Sequence, residues 1–165
     1  MQKFTFLFLL TSISIFSSCS SNDDIPTTDI MDEIVYEDSI IIVDQMTIVS
    51  FDSEPSGYSN YVFYLKGMFD EEIVGFYAEL KLPIIEDDSC FFRPGTFSHS
   101  TSPDLNSSSF YYDSAELRIG DESIKVTAGE IIVSKNGVNF IFRGTLTLEN
   151  GKDFTISYSG DLGMD

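Results

Sequence analysis

From about Ile34 onward the chain carries no apolar run with a 3.6-residue period. Its apolar segments alternate with period two, are rich in Ile, Val, Phe, Tyr and Thr, and are punctuated by Gly, Asn, Asp, Ser and Pro, which is the pattern of half-buried strands. The alternation predicts strands at Ile34–Tyr36, Ile40–Phe51, Tyr58–Phe69, Ile73–Leu82, Gly95–Ser98, Phe110–Ile119, Ser123–Val126, Glu130–Ser134, Val138–Leu148 and Asp153–Leu162. Breaks are expected at 53–57, at Pro83, at Arg93-Pro94-Gly95 and along the Ser-rich span 98–109. The fold class is therefore all-β, a single antiparallel β-sandwich or flattened β-barrel.

Two hairpins allow the register to be worked out. A two-residue Asn136-Gly137 turn would pair Val133 with Phe140 and Ile131 with Phe142, whereas a three-residue loop would set Glu130 against Phe142 and mix the faces. At the next turn the loop Glu149-Asn150-Gly151, with Gly151 left-handed in a bulge, sets Leu146 opposite Phe154, Gly144 opposite Ile156 and Phe142 opposite Tyr158. A two-residue Asn150-Gly151 turn would instead put Thr147 against Phe154. The resulting meander has an apolar face running from Ile131 to Tyr158. Its opposite face is wet and carries Ser134, Arg143, Thr145, Thr147, Thr155 and Ser157, with Ile132 and Ile141 as exceptions. The segments Ile40–Val43 and Tyr61–Leu65 are apolar on both faces and are expected to be central or covered from outside.

The first residues follow a different pattern. Lys3 precedes an apolar run from Phe4 to Phe16, too short and too hydroxylated to serve as a permanent span of about 20 apolar residues, so it reads as a secretory signal. Phe16-Ser17-Ser18-Cys19 resembles a bacterial lipobox. That resemblance implies cleavage after residue 18, lipidation of Cys19 with diacylglycerol and an N-acyl chain such as palmitate, and stable anchoring through several acyl chains. The organisation expected is thus a signal peptide over 1–18, a lipidated flexible tether over 19–33 and an all-β domain over 34–165. Asp23-Asp24 resembles the acidic export signal of Bacteroidota surface lipoproteins, without the Lys that often accompanies it; a solvated linker is the other reading. Gly129–Val133, Phe140–Leu146 and Tyr158–Leu162, with Pro94-Gly95-Thr96-Phe97 upstream, resemble the C-terminal meander of uncharacterised Bacteroidota lipoprotein domains similar to calycin or lipocalin-like folds. The resemblance implies a small β-domain on a lipid tether, outer-membrane and cell-surface placement, and no activity to carry over.

Composition narrows the partners. With 27 Asp and Glu against 9 Lys and Arg the net charge is −18, which excludes nucleic acid as a ligand because phosphate neutralisation supplies most of that affinity. Cleavage before Cys19 removes Lys3 and makes the mature charge −19. The 15 Phe and 8 Tyr supply ample core. No catalytic set, cofactor motif or metal motif stands out. Cys90, beside Asp88, sits in surroundings that raise a thiol pKa, and His99 is the sole histidine, placed in a Ser/Thr-rich loop. The clusters Asp70-Glu71-Glu72, Glu86-Asp87-Asp88 and Asp121-Glu122 are expected at turns, without calcium-loop spacing. They could also supply a glycosidase carboxylate pair, although the chain has no Trp to form a sugar platform. Asp38-Ser39-Ile40 and Asp113-Ser114-Ala115 resemble Bacteroidota O-glycosylation sites. The function expected is a membrane-anchored, non-catalytic binding or adhesion module for a protein, glycan or small-molecule ligand. The alternatives are a calycin-like carrier of a small apolar ligand, or a surface hydrolase using loop carboxylates.

Overall fold

The computed structural model describes residues 31–51, 57–84, 92–101 and 109–162. Nine strands run through them: β1 (Glu33–Tyr36), β2 (Ser39–Phe51), β3 (Tyr58–Phe69), β4 (Glu72–Pro83), β5 (Gly95–His99), β6 (Tyr111–Ile119), β7 (Glu122–Asn136), β8 (Asn139–Leu148) and β9 (Asp153–Gly160). They close into one barrel in the order β1-β2-β3-β4-β6-β5-β7-β8-β9, with β1 also paired to β9. Of the sandwich and barrel expected from the alternation, the barrel is found. It is mixed rather than purely antiparallel: β6 and β7 pair near their shared turn and then diverge, and β5 fills the gap, parallel to β6 and antiparallel to β7.

Side chains alternate between a filled interior and a mostly polar exterior, the reverse of the apolar band that faces lipid in transmembrane barrels. Ile34, Phe63, Leu65, Phe76, Leu80, Phe97, Leu117, Ile131, Phe142 and Leu146 are fully buried. The rings of opposite walls meet in the middle. Phe63 of β3 stacks on Phe142 of β8 at 4.4 Å between centroids, and Phe76 of β4 meets Phe154 of β9 edge-on at 5.6 Å. Phe92, outside any strand, closes one end by packing against Tyr61, Phe97, Phe140 and Phe142.

The β8–β9 hairpin has the register expected, with Leu146 opposite Phe154, Gly144 opposite Ile156 and Phe142 opposite Tyr158. Gly151 is left-handed at φ 80° and donates its N–H to the Leu148 carbonyl. The β7–β8 hairpin differs by two residues: Val133 faces Phe142 and Asn136 faces Asn139, so the turn residues are Gly137-Val138. Gly137 alone of that pair has positive φ, 62°, as a type II′ turn requires at its first central position. A slip of two preserves the alternation, so the expected core face is retained.

The segments expected as separate strands at 123–126 and 130–134 are one strand, β7. The pairing shifts between Val126 and Ala128, leaving Thr127 as a bulge that moves the inward set from Ile124 and Val126 to Ile131 and Val133. Similar bulges at Asp44 in β2 and Asp113 in β6 change the inward parity of those strands. Ile40 and Ile42, expected to be covered, lie exposed on the outside of β2. Asp32 is part of the folded body, its carbonyl accepting from Val43 N–H at 2.8 Å and its carboxylate from Ser159 N–H at 2.7 Å, and Glu33 opens β1.

Removing one of the meeting rings leaves a cavity that opposing walls cannot close without breaking ladders. Phe142→Ala is therefore expected to destabilise by about 3–5 kcal/mol, against less than about 0.5 kcal/mol for Val138→Ala at the exposed turn. Urea denaturation measures both, and near-equal losses would show that the rings are not the keystone of the barrel.

Candidate functional site

Contact between the rings of opposite walls blocks the barrel axis at the level of Phe63 and Phe142. The outer wall carries an open groove of about 470 Å³ across β7, β8 and β9. Two lateral rows of outward side chains line it. In the first, Ile132 pairs with Arg143 and Arg143 with Ser157; in the second, Glu130 pairs with Thr145 and Thr145 with Thr155.

The groove owes its depth to the backbone. Gly129 adopts φ 114° directly after the Thr127 bulge, and a Cβ there would lie 2.3 Å from the Thr145 carbonyl oxygen, so only glycine lets the two strands approach this closely. Gly144, opposite the inward residues Ile131 and Ile156, leaves room on the core side, where a Cβ would meet Ile156 at 2.8 Å. The lining combines one guanidinium, three hydroxyls and one carboxylate. The Arg143 guanidinium makes no hydrogen bond or ion pair to any described residue. Glu130 is partly engaged by the hydroxyl of Ser98 at 3.3 Å. A lone guanidinium among hydroxyls is suited to an anionic, hydroxyl-bearing ligand, because its planar fork can hold a carboxylate by two hydrogen bonds.

The other polar groupings serve the wall. On the outside of β4, β6 and β7, Tyr77 donates to Glu79 at 2.6 Å. Burial, together with the hydrogen bond to Glu79 and the charges of Glu79 and Glu116, pushes the Tyr77 phenol far above its usual range. Glu116 accepts from Ser123 at 2.5 Å and pairs with Arg118. The Ser123 hydrogen bond and then the Arg118 guanidinium hold its carboxyl below the ordinary range. Lys81, the most buried cation among the described residues, pairs with Asp113 at 2.7 Å, Asp113 being the bulged residue of β6. The Lys81 ammonium also lies 6.0 Å from the Tyr111 ring centre.

The sequence-predicted site residues are not brought together. Cys19, Asp23, Asp24, Cys90 and the cluster Glu86-Asp87-Asp88 lie outside the described residues. Asp70, Glu71 and Asp121 sit in turns as expected, whereas Glu72 and Glu122 begin strands. No three His, Cys, Asp or Glu among the described residues converge to hold a metal ion. His99 ends β5 instead of lying in a loop, its ring 5.4 Å from that of Tyr112. Ser39 opens β2 half-buried, and Ser114 is exposed opposite Glu79. Arg143, Thr145 and Thr155 are legible as wet-face residues; their gathering into a groove depends on the bulge and Gly129, which carry no pairing signal. No family model, no curated protein and no solved structure matches the chain.

The depressed carboxyl of Glu116 contributes stability that is present above its ordinary pKa of 4.5 and is lost as pH falls through its lower folded-state value. Wild type is thus expected to exceed Glu116→Gln in urea midpoint at pH 7, with the gap closing at pH 3. A gap that is equal at both pH values would show that the ionised carboxyl is not what stabilises.

Proposed function

We propose that this chain is a lipid-tethered, non-catalytic binding module that recognises an anionic, hydroxyl-bearing ligand on the outside of its barrel. The observation that carries the reading is the β7–β9 groove, which presents Arg143 among three hydroxyls on the exterior, while the contact between Phe63 and Phe142 blocks the barrel axis at its level. The same contact weighs against a carrier of apolar ligands. Anchoring through Cys19 rests on the lipobox resemblance of Phe16–Cys19, and outer-membrane, cell-surface display on the resemblance of the acidic tether and the meander to Bacteroidota lipoproteins. In this reading the long polar segment after Cys19 holds the acidic barrel clear of anionic head groups that repel it.

Labelled palmitate is expected in the full-length protein expressed in a lipoprotein-processing bacterium and absent from Cys19→Ala; label persisting in the variant would overturn the anchor. On an array of acidic and neutral glycans, the protein is expected to retain acidic members. Arg143→Ala should weaken retention about tenfold or more, the effect of about 1.5–3 kcal/mol for a hydrogen bond to a charged group, while Arg118→Ala leaves it unchanged. Equal loss in both variants would reduce the groove to bulk electrostatics.

A further inference from the structure

A second exterior feature lies on the next sector of the barrel. Val43 pairs with Gly67, which puts Ile42 beside Met68, and Met68 in turn pairs with Ile73. Three large apolar side chains thus stand side by side on the outside of β2, β3 and β4, with Ile40 next to them on β2; each is 46–58 % exposed. Elsewhere the outer face is largely polar, and scattered single exposures would need no comment, whereas a contiguous stripe does. Strand propensity asks only for β-branched or polar residues at these positions, and Thr would satisfy it without the exposure.

The border of the stripe is acidic. Glu37 and Asp38 form the β1–β2 turn, Asp70 and Glu71 the β3–β4 turn, and Glu33 and Glu72 flank Ile42 and Ile73. Three cations are nearby: Lys152, already paired with Glu37, Arg118, already paired with Glu116 and opposite Gly75 two residues from Ile73, and Lys66, two residues before Met68. An apolar centre within a ring of like charges selects its occupant. A second copy of the chain would bring two acidic rims together, and an anionic membrane would be repelled by the same rim.

We propose that the Ile40–Ile42–Met68–Ile73 stripe docks a cationic amphipathic segment of a partner protein, apolar side chains against the stripe and Lys or Arg against the two acidic turns. The site is separate from the Arg143 groove, and either can fail without the other. The apolar centre would supply affinity, while the rim would set orientation and the rate of encounter.

The test uses the full chain and a fluorescent amphipathic Leu/Lys peptide, with a peptide of identical composition scrambled to destroy its apolar face as control. The amphipathic peptide is expected to bind at least tenfold more tightly than the scrambled one. The triple variant Ile42→Thr, Met68→Thr, Ile73→Thr, which keeps every charge, should abolish that preference, and Ile132→Thr at the groove should leave it intact. Circular dichroism and the melting temperature confirm that the Thr variants remain folded. Equal binding of both peptides, or a preference that survives the triple variant, would overturn the proposal. So would self-association of the free chain, or binding to phosphatidylglycerol vesicles, that the triple variant abolishes, since the occupant would then be a second copy or a membrane.

Discussion

The contact of aromatic rings across the barrel axis is the constraint on which the rest of the structure depends. A small closed sheet must either enclose a cavity or fill it, and Phe63, Phe76, Phe142 and Phe154 fill it from facing walls. Each ring buries a large apolar surface, and the meeting rings add edge and stacking contacts that fix the spacing of the walls. Once that spacing is fixed, strands with more residues than their neighbours must shed the excess locally. The bulges at Asp44, Asp113 and Thr127 do this, each shifting which residues point inward so that the apolar set stays on the core side along the whole strand.

The strands were legible because alternation with period two is a direct image of one face in oil and one in water. The β8–β9 register was legible for the same reason, since only one loop length put Leu146 against Phe154 and Phe142 against Tyr158. At β7–β8 two candidate turns keep the faces equally well, and the choice falls to Gly137, which takes the first central position and not the second. Periodicity cannot distinguish registers two residues apart. Nor can it distinguish a strand break from a bulge, which is why Thr127–Gly129 looked like a boundary within what is a single long strand. The groove was hidden for that reason: its polar residues alternate like any solvated face, and its depth comes from a left-handed Gly129. The exposure of Ile40 and Ile42 was hidden because an apolar residue in a sequence does not say whether anything covers it.

The acidity that excludes nucleic acid is concentrated where the chain reverses. The β1–β2 and β3–β4 turns place Glu37, Asp38, Asp70 and Glu71 in the left-handed region, where Asn and Gly sit at lower cost. Carboxylates at these positions meet water freely and repel other chains, which protects a surface carrying exposed Ile and Met from indiscriminate association. The same wall holds its inner charges differently. Lys81 and Asp113 satisfy one another near the other end of β4, and Glu116 is held by Ser123 and Arg118.

Closure of the barrel falls to β1, four residues long, which bridges β2 and β9. Its partner β9 follows the other eight strands in sequence, so β1 has nothing to pair with on that side until β9 has been made. Joining the two ends is the contact of greatest sequence separation and the costliest in chain entropy, which places it late in folding. Until β9 is made, the nascent sheet therefore stays open with two bare edges. Both edges stay open to pairing with other chains until β1 and β9 meet.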